Sequence, residues 1–220
     1  MRGYVLDRYG DATAMTLREV PAPAIEAGSL LIRVHAAGLN PLDYKIRQGK
    51  VRLINRLDLP RVAGSELAGV VHAVGPGVTR FAEGDRVFTR VDKSKLGAFG
   101  DYSVVSESLV AKMPVELDFV QAAGLPLAGL TALQALRDEL VVAKGDRLYI
   151  SGGAGGVGTM AIQIAKWIGA EVATTASARG ESARSPFGCR PGHRLHTGTR
   201  PGRPAALRRG IRPHGGRRSP

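Results

Sequence analysis

The stretch Asp146-Arg-Leu-Tyr-Ile-Ser-Gly-Gly-Ala-Gly-Gly-Val-Gly158 decides the fold. Leu148 to Ile150 read as a short apolar strand, and the glycine cluster after it opens a helix. The spacing Gly153-x-Gly155-x-x-Gly158 suits a dinucleotide turn. One glycine makes the tight bend, one lets backbone approach a pyrophosphate, and one packs the helix against the strand. Ala154, Gly156 and Val157 fill the remaining positions, so all six residues are cofactor-binding candidates. A helix beginning here offers free N–H groups and the positive end of its dipole to phosphates. Ala161, Ile162, Ile164, Ala165 and Ile168 continue at helical spacing, Gly169 ends the helix, and Glu171 to Ala176 reads as a second strand. The result is β-α-β, as a nucleotide fold requires. The competing reading is an ordinary glycine-rich turn between helix and strand.

The residues after that second strand bear on which nucleotide is held. An acidic residue about twenty positions after the glycines would bind the ribose 2′-hydroxyl of NAD. Here the chain runs Thr175-Ala-Ser-Ala-Arg179, without a carboxylate. Ser177 can donate to a 2′-phosphate, and Arg179 can pair with it through two N–H groups. This favours NADPH; the alternative is that both are ordinary loop residues.

The formal net charge of +12 over 220 residues is unevenly distributed. Residues 179–220 hold eleven Arg, no Lys and one acid, Glu181, whereas residues 1–178 carry a net charge of only +2. No apolar run approaches the roughly 20 residues needed to span a bilayer. The N-terminus lacks the apolar core of a signal peptide. The single cysteine, Cys189, excludes an intrachain disulfide. A cytoplasmic protein with no membrane partner is the expectation.

The first ~120 residues predict short strands at Tyr4–Leu6, Thr16–Val20, Leu30–Ala36, Leu67–Val74, Arg86–Thr89, Tyr102–Val105 and Leu109–Lys112. Glycines and prolines such as Gly28, Gly64, Gly75-Pro-Gly77 and Gly84 punctuate them. A compact barrel-like β domain follows from this pattern, then helical stretches from Phe119 to Ala123 and from Leu127 to Leu140.

Six motifs, in order, resemble one family. They are Ala37-Gly-Leu-Asn-Pro-Leu-Asp-Tyr-Lys45 with Arg47-Gln-Gly49; Pro60-Arg-Val-Ala-Gly-Ser-Glu-Leu-Ala-Gly-Val-Val71; and Val74-Gly-Pro-Gly-Val78 with Gly84-Asp-Arg-Val87. Then come Gly97-Ala-Phe99 with Asp101-Tyr-Ser-Val104; Ala122-Ala-Gly-Leu-Pro126 with Leu130-Thr-Ala132; and the glycine fingerprint. Residues 1 to about 178 thereby resemble the medium-chain dehydrogenase/reductase superfamily, in its zinc-independent quinone oxidoreductase and enone reductase branch. The resemblance implies an α/β chain. A GroES-like partial barrel would span 1–118 and an incomplete Rossmann NADP-binding domain 119–180, followed by a disordered basic tail at 181–220. It reads Pro60 to Val71 as one long bent strand and places Thr131 beside the nicotinamide, against the plainer role of a helix-surface hydroxyl. It also implies a small quinone or enone substrate and homo-oligomers among full-length members.

Zinc-dependent alcohol dehydrogenases of the superfamily carry a cysteine where Asn40 stands and a histidine where Ser65 stands. Asn40 and Ser65 are poor zinc ligands, so no metal is expected. The other metal-ligand candidates, His35, His72, Glu66 and Asp43, lack a partner at ligand spacing, and His35 and His72 read as exposed or satisfied strand residues. Without a metal, hydrogen-bond donors must stabilise the oxyanion that develops when hydride adds to a conjugated carbonyl. Tyr44 and Lys45 are the candidate donors, and Asn40 is a candidate for fixing the loop or a water. Asp43 reads as a helix cap or as a partner for Lys45. A turn that starts a helix is the plainer account of all four.

The tail from about residue 181 allows two readings. It can be a basic arm that holds nucleic acid non-specifically, although Phe187 is its only aromatic residue. It can instead be a shifted reading frame. Reverse-translating Phe187 to Leu195 and starting one base later permits Leu-Gly-Ala-Asp-Arg-Val-Ile-Asp-Tyr, similar to the family's sequence after its second nucleotide helix. Further on, the same shift permits the family's Tyr-Asp-x-x-x-Asp strand. On the frameshift reading the nucleotide domain is cut short. Ile150, Val172 and the apolar face of helix 156–168 would lack neighbours, and the chain as written would not turn over.

Overall fold

The computed structural model describes residues 1–54 and 56–175, together with the backbone of Arg190–Pro191. The chain forms two compact units, Met1–Thr131 and Ala132–Pro220.

The first unit contains strands β1 (Arg2–Leu6), β2 (Met15–Glu19), β3 (Ser29–Ala37), β4 (Arg61–Val62), β5 (Glu66–Val74), β6 (Arg86–Arg90), β7 (Tyr102–Ser106) and β8 (Val110–Lys112). Helix α1 (Pro41–Arg47) follows β3, and α2 (Phe119–Ala123) and α3 (Pro126–Gln134) follow β8. Two antiparallel sheets result, ordered β2-β1-β4 and β7-β3-β5-β6-β8. Two register shifts along the β3–β5 pair, at Leu31/Ile32 and Val34/Ala36, bend the larger sheet. Leu30, Ile32, Leu67, Val71 and Val87 meet on its inner side, each almost wholly buried. Each such side chain contributes roughly 1.5–3 kcal/mol by leaving water.

The seven strands expected here all form, with ends shifted by at most a few residues. The segment Pro60 to Val71 differs from expectation, because it is not one bent strand. β4 pairs with β1 in the small sheet, and β5 runs through the large one. Between them Gly64 sits at φ +99°. A Cβ there would lie 2.5 Å from the Phe99 ring and 2.6 Å from the Phe99 nitrogen. Only glycine lets the chain pass from one sheet to the other while this close to Phe99.

In the second unit, β9 (Arg147–Ile150), α4 (Gly156–Ile168) and β10 (Glu171–Thr174) form the expected β-α-β. β10 pairs in parallel with β9 on one side and with β11 (Arg190–Pro191) on the other. The last part of α3 widens into a π-type turn at Ala135–Glu139. α4 ends at Gly169, in the left-handed region at φ +96°, whose N–H reaches back to the carbonyls of Ala165 and Lys166.

One expectation is corrected in this unit. Ile150, Val172 and the inner face of α4 do have neighbours. Ile162, Ala165 and Val172 are buried with Ala132, Leu136 and Ala170, because the end of α3 and its π turn fill the space over the strands. On the opposite side Tyr149 is about half exposed. In the tail, Arg190–Pro191 pairs with β10. The rest of 181–220, and the frame reading built on it, lie outside the described residues.

Gly64→Ala should therefore lower stability by at least ~2 kcal/mol, from the combined cost of the left-handed backbone and the Phe99 overlap. Urea denaturation followed by circular dichroism measures this; a shift within error would contradict the sheet-crossing role.

Candidate functional site

The motif Asn40-Pro-Leu-Asp43 builds its own helix start. Asn40 is extended, at φ −124°, and Pro41 pre-sets the first helical turn. Asp43, three residues past the cap, accepts the Asn40 N–H at 2.7 Å. Lys45 and Arg47 stand in the last turn, where cations suit the helix dipole.

Two further bonds join this helix to Ser65 and Glu66, and a third ties Glu66 to α3. The Asn40 side-chain amide donates to Glu66 Oε1 at 2.6 Å. The Ser65 hydroxyl donates to Asp43 Oδ1 at 2.5 Å. The other Glu66 oxygen accepts the Leu127 N–H, in the first turn of α3, at 2.6 Å. Glu66 is 2% exposed. Gly38 makes room for it, since a Cβ at that position would overlap Glu66 Oε1. Burial raises the pKa of Glu66, opposed by the bonds from Asn40 and Leu127; the nearby Asp43 raises it further. Burial likewise raises Asp43, against the bonds from Ser65 and Asn40.

Asn40, Asp43 and Tyr44 line a pocket of about 270 Å³ whose other walls include Leu6, Ile46 and Phe99. A wider pocket of about 580 Å³ shares Met15, Leu39 and Phe99 with it. The structure thus brings Asn40 and Tyr44 to one cavity. Lys45 is exposed and does not line it. Asp43 acts as the helix cap and bonds Ser65. The Thr131 hydroxyl donates to the Leu127 carbonyl one turn back, at 2.7 Å. His35 is exposed and stacks on Phe119 at 4.3 Å between ring centres, and exposed His72 leans on Tyr102.

A zinc ion does not fit the first unit's polar cluster. Asn40 and Ser65 donate hydrogen bonds to the two carboxylates, and neither offers a thiolate or imidazole. Among the described residues no group of three or more His, Cys, Asp or Glu is placed to hold a metal.

The glycine corner lies in the second unit. A Cβ at Gly153 would overlap the Thr174 hydroxyl, and one at Gly158 would overlap the Gly152 carbonyl. These two glycines are required by the protein's own packing. Gly155 is different: among the described residues a Cβ there would meet nothing nearer than the Gly152 carbonyl at 3.4 Å. It is the N-cap of α4, and no side chain caps the helix. Gly156 and Val157 open α4, with Val157 partly exposed, and Ala154 lies in the turn. The loop is tied to the end of β10 by the Gly153 N–H on the Thr175 carbonyl at 2.9 Å and the Gly152 N–H on the Thr175 hydroxyl at 3.2 Å. Open space before uncapped helical N–H groups fits a dinucleotide pyrophosphate. Ser177 and Arg179 lie outside the described residues.

Residues 26–115 match the alcohol dehydrogenase GroES-like domain. The chain is 41% identical over 187 residues to the chloroplastic NADPH-dependent alkenal/one oxidoreductase of Arabidopsis thaliana, covering 80% of this chain and 48% of that protein. The quinone oxidoreductase of Coxiella burnetii superposes with a TM-score of 0.79 at 36% identity, over 88% of this chain and 62% of the other. A mycobacterial structure solved with NADPH superposes with a TM-score of 0.79 at 33% identity, over 88% of this chain and 58% of the other. The chain spans about half the length of the curated relatives it matches. These likenesses are to proteins of the medium-chain dehydrogenase/reductase superfamily.

The sequence offers Glu66 only as a metal-ligand candidate without a partner at ligand spacing, and does not show its role in tying the site together. Its partners are 26 and 61 residues away, and only its place beside Ser65 in the motif hinted at it.

The raised pKa values fix the sign of a pH effect. In the folded state both carboxyls keep their proton to higher pH than in the unfolded chain. Their contribution to stability is complete below the ordinary carboxylate range and falls as pH rises through the raised values. Glu66→Gln should remove one share of that fall, so its stability should change less than the wild type's as pH rises from about 4 to 7. Glu66→Ala, which orphans the Leu127 N–H and the Asn40 amide, should cost about 1–3 kcal/mol at neutral pH. Equal pH slopes for wild type and Glu66→Gln would contradict the assignment.

Proposed function

We propose that this protein is an NADPH-dependent oxidoreductase that reduces a quinone or enone by hydride transfer, without zinc. The observation that carries the reading is the corner at Gly153–Gly158, where space is kept free at Gly155 before an uncapped helix. The names of the relatives support the choice of nucleotide and acceptor. When bound, NADPH supplies a hydride from its nicotinamide ring.

The protein's own residues do the rest. Backbone N–H groups of Gly156, Val157 and Gly158 hold the pyrophosphate, with the α4 dipole behind them. Ser177 and Arg179 are proposed to hold the 2′-phosphate. In the first unit the Tyr44 hydroxyl is the donor to the oxygen on which negative charge develops. Asn40, its amide fixed by Glu66, sets the shape of the same pocket. Lys45, exposed outside the pocket wall, is the weaker candidate. A conjugated acceptor suits this arrangement, since its charge is spread enough for a few donors to stabilise it without a metal.

The test is oxidation of NADPH by quinone and enone acceptors. Gly155→Val should weaken NADPH binding at least tenfold, because its side chain occupies the space reserved for the pyrophosphate. Arg179→Ala should erode the preference for NADPH over NADH by roughly 1–3 kcal/mol. Tyr44→Phe should lower kcat with little change in cofactor affinity. A folded protein that binds NADPH yet reduces no quinone, enone or aldehyde would defeat the reading of the acceptor. Equal NADPH affinity in wild type and Gly155→Val would defeat the reading of the corner.

A further inference from the structure

We propose that the loop after α1 is a docking surface for an anionic lipid bilayer. Leu53 and Ile54 enter the headgroup layer, and the bases around them engage the phosphates. Leu53 is 97% exposed and Ile54 84%, side by side at the tip of the loop. This exposure is built into the loop. On one side Val51 is partly buried, and on the other Leu57 is only 4% exposed; both join the cluster of Leu6, Ile46 and Leu96. The Ile54 N–H reaches the Val51 carbonyl at 3.1 Å, and the Leu57 N–H reaches the Tyr9 hydroxyl at 3.0 Å. The loop turns its flanking apolar residues inward and this pair outward.

Charge identifies the occupant. Residues 45–61 contain six bases and a single acid, Asp58. Lys45, Lys50, Arg52 and Arg56 are all exposed, and among the described residues none of them is in an ion pair. Elsewhere on the first unit exposed Arg18, Lys95 and Lys112 each have a carboxylate partner. Exposed Arg8 and Arg33 stand singly with no ion pair among the described residues; the loop differs in gathering its bases around one apolar pair. Unpaired cations around an aliphatic tip fit an anionic membrane surface, where charge draws the loop in and the apolar pair anchors it. A nucleic acid would use the cations but has no use for an aliphatic tip, since base stacking needs an aromatic face. Among the described residues no helix is long and apolar enough to cross a membrane, so the contact is peripheral. It departs from the expectation of no membrane partner.

The Arg-rich segment after residue 179 would be drawn to the same lipids, so the test must isolate the loop. The full chain is sedimented with vesicles of phosphatidylcholine, with and without phosphatidylglycerol. Wild type should bind only the anionic vesicles, and less so as salt rises. Leu53→Ser with Ile54→Ser should weaken that binding by roughly tenfold, with thermal stability unchanged. Trp167 is the only tryptophan, so Leu53→Trp in a Trp167→Phe background gives a reporter. Its emission should shift to the blue on anionic vesicles and be quenched by lipids brominated in their acyl chains. No cofactor or acceptor enters the experiment, so its result is independent of the proposed activity. Equal vesicle binding by wild type and the double serine variant, or an unshifted reporter, would overturn the proposal. So would a loss of self-association in that variant without loss of vesicle binding, which would make the tip a contact between copies.

Discussion

The buried carboxylate of Glu66 holds the first unit's site in shape. One oxygen receives the Asn40 amide and the other the first turn of α3, so β5, α1 and α3 meet on one side chain. Burial works against its charge. Such a group is retained only if hydrogen bonds meet it on both sides, and here they do. Gly38 and Gly64 leave the room that this arrangement needs, one beside the carboxylate and one at the crossing between sheets. The Asp43–Ser65 bond repeats the device one turn further along α1.

In the second unit the controlling factor is close backbone approach. Gly153 and Gly158 are glycines because neighbouring protein atoms exclude a Cβ, whereas Gly155 is glycine with open space around it. The distinction separates fold from ligand within a single motif. Two positions serve helix-on-strand packing, and at the third no described protein atom crowds a Cβ. The loop is fastened by two bonds to Thr175, so the corner is formed in advance of any ligand.

Much of this was legible in the sequence because it is local. Strand alternation, turn glycines, the fingerprint and the Asn40–Asp43 cap all depend on residues within a few positions of one another. The unread parts depend on distance along the chain or on tertiary packing. Glu66 carries no periodic signal, and its meaning comes from Asn40 and Leu127. The break between β4 and β5 turns on Phe99, 35 residues from Gly64, which no local pattern shows. The cover over Val172 comes from the π turn at Ala135–Glu139, where the sequence predicts plain helix. Lys45 and Tyr44 are adjacent and chemically equal as candidates; only the helix rotation places one at the pocket and the other in solvent.

The central claim is that the Gly153–Gly158 corner holds the cofactor's pyrophosphate on backbone N–H groups. The most direct measurement is the amide NMR spectrum of the isotopically labelled protein during NADPH addition. The account predicts that the largest shifts fall on the amides of Gly155 to Thr159, saturating together with the nicotinamide signals. Saturable NADPH binding that leaves those amides in place would contradict it.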